Sequence, residues 1–83
     1  MRDFRVKPRF LRDLEDHQAW MTQIDNLISQ IVGAEKLDQF PKTEWSGHLY
    51  CRDNDPPFIT IYFSITGETP LFEWLLGPNT PLR

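Results

Sequence analysis

Phe58-Ile59-Thr60-Ile61-Tyr62-Phe63-Ser64-Ile65-Thr66 is the stretch whose reading decides the fold. β-Branched and aromatic residues dominate it, and most of its positions alternate at period two. Ile59, Ile61, Phe63 and Ile65 therefore share one strand face, with Thr60, Tyr62, Ser64 and Thr66 on the other. Just upstream, Asp53-Asn54-Asp55-Pro56-Pro57 is a turn cluster, and His48-Leu49-Tyr50-Cys51-Arg52 before it alternates in the same way. The two runs form a hairpin. Leu49 and Cys51 are expected to point inward, leaving His48, Tyr50 and Arg52 with Tyr62 on the opposite, polar face.

Downstream, Gly67-Glu68-Thr69-Pro70 reads as a second tight connection into Leu71-Phe72-Glu73-Trp74-Leu75-Leu76, which Gly77-Pro78 ends. At the other end of the chain, Phe4-Arg5-Val6-Lys7 alternates apolar and basic residues and stops at Pro8, as a short strand does. From Phe10 onward Leu14, Met21, Ile24, Ile28 and Ile31 fall on one helical stripe, flanked by Leu11, Trp20, Leu27 and Val32. One helix over residues 8–32 would be about 37 Å long, against an expected diameter of about 30 Å. A break is expected at Glu15-Asp16-His17-Gln18, giving a helix pair or a strong bend, and Gly33 ends the second segment. Residues 34–47 read as a connection with a short strand or turn. The expected fold is α+β, in the order β-α(α)-β-β-β, with a helix or helix pair on one face of a small antiparallel-rich sheet. Residues 1–83 are expected to form a single domain.

Hydrophobic residues make up 40% of the chain and aromatics 13%, enough burial to offset chain entropy. A single cysteine, Cys51, excludes an internal disulfide and fits a reducing compartment, so the expected location is cytoplasmic. The N-terminus lacks the apolar stretch of a signal peptide, and no run is long enough to span a membrane. Net charge is −3, which gives no general attraction for nucleic acid. The charge is nevertheless segregated. Within residues 1–12, Arg2, Arg5, Lys7, Arg9 and Arg12 face only Asp3, so a polyanion would favour that end.

No phosphate loop, zinc-protease helix, calcium loop or nucleophile elbow is present. His17 and His48 are the only histidines, without metal-ligand spacing, and no metal or cofactor is expected. Cys51 reads as a buried, inert thiol, with a nucleophile as the alternative. Asp53 and Asp55 read as turn residues, with a carboxylate pair for acid–base work or metal binding as the alternative. Metal-free RNA cleavage needs a base for the 2′-hydroxyl, a cation for the transition-state phosphate and a proton donor for the leaving oxygen. Arg52, Tyr62 and His48 have those chemistries and are expected on one face.

The element order resembles the RelE/ParE toxin superfamily, especially its RelE- and YafQ-like ribonuclease branch. Trp45-Ser46-Gly47 followed by His48-Leu49-Tyr50-Cys51-Arg52-Asp53 is similar to the family's entry into its second strand. Asp55-Pro56-Pro57-Phe58-Ile59-Thr60-Ile61-Tyr62 is similar to its turn and Tyr-terminated strand. Leu76-Gly77-Pro78-Asn79-Thr80-Pro81-Leu82-Arg83 resembles its closing segment, with Asn79 where the YafQ-like branch has a catalytic histidine. Asn cannot shuttle protons.

The resemblance implies a toxin of a toxin–antitoxin pair that cleaves mRNA on the ribosome without metal and is inhibited by an antitoxin protein. Arg52 and Tyr62, with His48, Asp53 and the Asn79 position, would be catalytic. Arg5, Lys7, Arg9, Tyr50 and Arg83 would bind substrate. The alternative is a catalytically silent protein of the same fold, a ParE-like gyrase inhibitor or a regulatory adaptor. Exposed members of Trp20, Trp45 and Trp74 would then form its contact patch.

Overall fold

A computed structural model describes residues 2–78 and residue 80; Asn79 and Arg83, both expected at the site, lie outside the described residues. The alternating stretch forms the centre of a four-stranded sheet. Its strands are β1 (Arg5–Val6), β2 (Leu49–Arg52), β3 (Thr60–Thr66) and β4 (Thr69–Leu76), with helices α1 (Pro8–Asp16) and α2 (Met21–Gly33) between β1 and β2. The sheet order is β1-β4-β3-β2, in which β1 runs parallel to β4 and the other neighbours are antiparallel. The fold is α+β, with both helices on one face of the sheet.

The helical stretch breaks where the sequence places the break. Pro8 opens α1, where its missing N–H would have no helical acceptor. His17 leaves the helical region at φ −126° and ψ 34°, yet its N–H still donates to the Leu14 carbonyl at 3.1 Å. The His17 carbonyl then accepts from Trp20, starting a 3₁₀ turn over Gln18–Trp20 that leads into α2. The longest dimension of the molecule is 31 Å, too short for an unbroken helix of about 37 Å. The break lets α1 lie over β4 while α2 covers β2 and β3.

Phe10 from α1 and Ile24, Leu27 and Ile31 from α2 are fully buried against Ile59, Ile61, Phe63 and Phe72. Leu49 and Cys51 point into the same core, as the alternation predicts. Leu11, read as a flank of the apolar stripe, instead lies on the solvent side of the two-turn α1 and is 48% exposed. Among the described residues no helix is long and apolar enough to cross a membrane.

Two local features of β4 set up the site. Its connection to β3 is only Gly67-Glu68, with Gly67 at φ +64°, a position that favours glycine. Thr69 and Pro70 therefore belong to the strand. Thr66 pairs with Thr69 and Ile65 with Pro70. The pair closing a two-residue turn exchanges the backbone bonds and the next pair does not, so Pro70 removes no bond to β3. Further along, Tyr62 pairs with Trp74 but Phe63 pairs with Phe72. Glu73 is thus the extra residue of a bulge, which turns both Glu73 and Trp74 away from the helices before Leu75 returns to the core.

Candidate functional site

The sheet face away from the helices is not an open polar surface. Thr60 is fully buried, its hydroxyl accepting from Arg52, and Tyr62 is 1% exposed beneath aromatic rings. Tyr62 stacks on Trp74 with ring centroids 4.6 Å apart and an interplanar angle of 20°. Tyr50 lies against Tyr62 at 5.9 Å, and Trp45 leans over both Tyr62 (6.4 Å) and Trp74 (5.9 Å). Such offset and tilted arrangements suit the ring quadrupoles.

A short ordered turn places Trp45 and His48. The Thr43 N–H donates to the His48 carbonyl at 2.9 Å and the Gly47 N–H to the Thr43 carbonyl at 3.0 Å. The Thr43 and Ser46 hydroxyls share a 2.6 Å hydrogen bond, and the Tyr50 N–H donates to the Pro41 carbonyl. Gly47 takes φ +71°, which closes the turn without a side-chain penalty. His48 then packs edge-on against Trp74 at 4.9 Å.

Glu73, which the bulge turns onto this face, is the electrostatic centre. Its carboxylate lies 2.6 Å from the Lys7 Nζ, accepts from the Ser64 hydroxyl at 2.7 Å and lies 3.8 Å from His48 Nε2. Burial raises the Glu73 pKa, but the hydrogen bonds from Lys7 and Ser64 and the charges of Lys7 and His48 outweigh it, leaving the carboxyl below its usual range. Glu73 is therefore ionised at neutral pH. His48 Nδ1 is buried, with no hydrogen-bond partner among the described residues.

Between these groups lies a cleft of about 520 Å³, lined by Arg9, Trp45, His48, Tyr62 and Trp74 with Leu76 and Thr80 at one end. The Arg9 guanidinium sits 5.2 Å from the Trp74 ring centroid, within cation–π range. Arg52 stands beyond the Thr80 end, where its Nη1 donates to the Thr60 hydroxyl at 2.8 Å and to the Thr80 carbonyl at 3.2 Å. Its guanidinium also lies 5.4 Å from the Phe58 ring centroid.

The structure thus gathers His48, Tyr62, Tyr50, Lys7 and Arg9 around one face and puts Arg52 at its end. It leaves two of the expected site residues elsewhere. Arg5 shares that face but sits near the β3–β4 turn with Thr66, Thr69 and Leu71. Asp53 leaves the face altogether, because it follows Arg52 and so turns toward α2, where it lines a hollow with Gln23 and Gln30. Burial first, and then the neighbouring Asp55, raise its carboxyl pKa. Burial, with a smaller contribution from Asp53, pushes the Cys51 thiol up to about 11, and the thiol donates to Gln30 Oε1 at 3.6 Å. Cys51 is inert at neutral pH.

Of the three tryptophans, Trp20 packs against the core, while Trp45 and Trp74 form the cleft. Glu73 is the functional group that sequence reasoning missed. A single acid within Leu71-Phe72-Glu73-Trp74-Leu75-Leu76 was the available signal. Among the described residues no group of three or more His, Cys, Asp or Glu side chains could hold a metal ion. No protein-family model matches the chain, and no curated protein or solved structure is significantly similar to it.

Proposed function

We propose that this protein is a RelE-like toxin of a toxin–antitoxin pair, a metal-independent endoribonuclease acting on mRNA at the ribosome. The observation that carries this reading is the convergence of His48, the N-terminal cations and an aromatic cleft on one sheet face, with Arg52 at its end.

In this reading the His48 imidazole takes the 2′-hydroxyl proton, and the 2′-oxygen attacks the adjacent phosphorus. The bond to the 5′-oxygen breaks, leaving a 2′,3′-cyclic phosphate and a 5′-hydroxyl. Arg52 offsets the charge gained by the phosphate oxygens. Tyr62 is too deeply covered to reach the reacting atoms and acts as the floor of the cleft, so the leaving oxygen is protonated from solvent. Glu73 faces the imidazole from its Nε2 side at 3.8 Å. An antitoxin segment with a basic or apolar helix would suit the acidic remainder of the chain and cover this face.

A second reading, a silent binding protein of the same fold acting on gyrase or as an adaptor, is favoured by one observation. Arg52 Nη1 donates within the chain, to the Thr60 hydroxyl and the Thr80 carbonyl.

Induced expression in a bacterial host, with growth followed and mRNA 5′ ends mapped, separates the two. In-frame cuts that disappear in His48→Gln and Arg52→Gln support the nuclease. Growth arrest with intact mRNA supports the binding protein. Normal growth with intact mRNA removes the toxin reading.

A further inference from the structure

Arg9 and His48 meet over one ring. The Arg9 guanidinium carbon lies 5.2 Å from the Trp74 ring centroid, and the His48 imidazole packs edge-on against the same residue at 4.9 Å. The two groups are therefore within about 10 Å of each other, a span that a 2′-hydroxyl and its adjacent phosphate bridge with a hydrogen bond at each end. The backbone fixes this spacing. The Lys7 N–H donates to the Phe72 carbonyl at 3.0 Å, tying the chain to β4 two residues before Arg9 and two before Trp74. Trp74 is itself held by its stack on Tyr62 at 4.6 Å.

The two arginines near the cleft differ in what their donors already do. Arg52 Nη1 is committed to Thr60 and Thr80, and Arg52 does not line the cleft. Arg9 lines it, and among the described residues its side chain makes no hydrogen bond and no ion pair, only the contact with Trp74. Its N–H donors are therefore available to a ligand, in a planar fork that matches two phosphate oxygens.

Resting on the nuclease reading above, we infer that Arg9 is a catalytic residue of the cleavage step, whose guanidinium donates to the non-bridging oxygens of the scissile phosphate beside His48. As the bond from the 2′-oxygen to phosphorus forms and the bond to the 5′-oxygen breaks, those oxygens gain negative charge and the contact strengthens. Arg9 gives up no proton. The 2′-hydroxyl proton goes to His48, and the leaving 5′-oxygen takes its proton from solvent. Because the contact is stronger in the transition state than with bound substrate, its effect falls on turnover more than on binding.

The test uses the full chain with ribosomes translating a defined mRNA, with cuts followed by primer extension so that kcat and KM are read separately. Arg9→Ala should lower kcat about 10²- to 10³-fold, the loss expected for one transition-state donor, with KM changed less than about threefold. Arg9→Lys, a point charge without the fork, should recover part of the rate. Guanidinium chloride at low concentration should speed Arg9→Ala in a saturable way and leave wild type unchanged, which a merely structural role for Arg9 would not produce. An unchanged kcat in Arg9→Ala, with or without a raised KM, overturns the catalytic role and leaves the nuclease standing. So does a fall in kcat that neither Arg9→Lys nor guanidinium relieves, which would place the effect in the fold. Wild type that leaves the mRNA intact removes the nuclease reading itself, and the role of Arg9 with it.

Discussion

The Asp13 carboxylate accepts a hydrogen bond at 3.1 Å from the backbone N–H of Leu75, 62 residues further along the chain. Leu75 lies where β4 has run past the two-residue β1, so that its outward N–H has no strand to pair with. The α1 side chain takes the place of the missing strand partner and caps a sheet edge that would otherwise be open to other chains. Asp13→Ala is expected to cost about 1–3 kcal/mol, the usual penalty for leaving a partly buried donor unpaired. Asp13→Asn, which keeps an oxygen acceptor, should lose less. Urea denaturation of the two variants checks this, and equal stabilities would show that the carboxylate does not act as an acceptor.

The same end of α1 is locked to the chain leaving β4. His17 Nδ1 is 2.7 Å from the Asp13 carbonyl, which identifies it as the protonated nitrogen, and Nε2 faces Gly77. A Cβ on Gly77 would stand 2.5 Å from that Nε2, so a methyl group there must displace the ring. Gly77→Ala should destabilise by about 1–3 kcal/mol through this overlap. In a His17→Ala background the same change should cost much less. The double-mutant cycle reads this coupling, and additive effects would place the cost elsewhere.

Periodicity was enough to read the fold from Ile59 to Ile65 and from Phe10 to Ile31, because each core face repeats at the period of its own element. That a break falls within residues 8–32 followed from size, since no unbroken helix fits the molecule, and the polar run Glu15-Asp16-His17-Gln18 located it. The site was legible in part. His48, Tyr50, Arg52 and Tyr62 share a face because alternation requires it, and that part follows from counting residues. What counting cannot supply is the bulge at Glu73, which breaks the period within an otherwise regular apolar strand and turns Glu73 and Trp74 to the same side. Nor does alternation reveal that Trp45, on the turn outside the strands, folds over Tyr62 and buries it. Contacts between elements decided both.

The burial of Cys51 makes a kinetic prediction. With its pKa pushed up to about 11 by burial and by Asp53, roughly one molecule in a thousand carries the thiolate at pH 8. The native protein should therefore react with a disulfide reagent at least a hundredfold more slowly than the urea-unfolded chain, whose thiol titrates near about 8.5. A native rate close to the unfolded one would show that Cys51 is neither buried nor raised. Asp53→Asn should speed the native reaction only modestly, because burial is the larger cause.

Glu73 sets the acid limit of the fold. Its pKa is lower in the folded protein than in the unfolded chain, so the unfolded state binds the proton more readily. The resulting stabilisation is fully present above the unfolded value of about 4.3 and fades as pH falls through the lower folded value. Glu73→Gln removes the charge that Lys7 meets at 2.6 Å, while its amide oxygen still accepts from Ser64. The variant should be less stable than wild type at pH 7, and the difference should shrink steadily between about pH 5 and pH 3 as wild type loses the same charge by protonation. Lys7→Met should narrow the pH dependence from the other side, since without the ammonium the carboxyl loses both a hydrogen bond and its nearest positive charge. Urea midpoints measured across this pH range decide the matter. Parallel curves for wild type and Glu73→Gln would show that the carboxylate contributes no linked stability, and that the Lys7–Glu73 contact is replaced by water without loss.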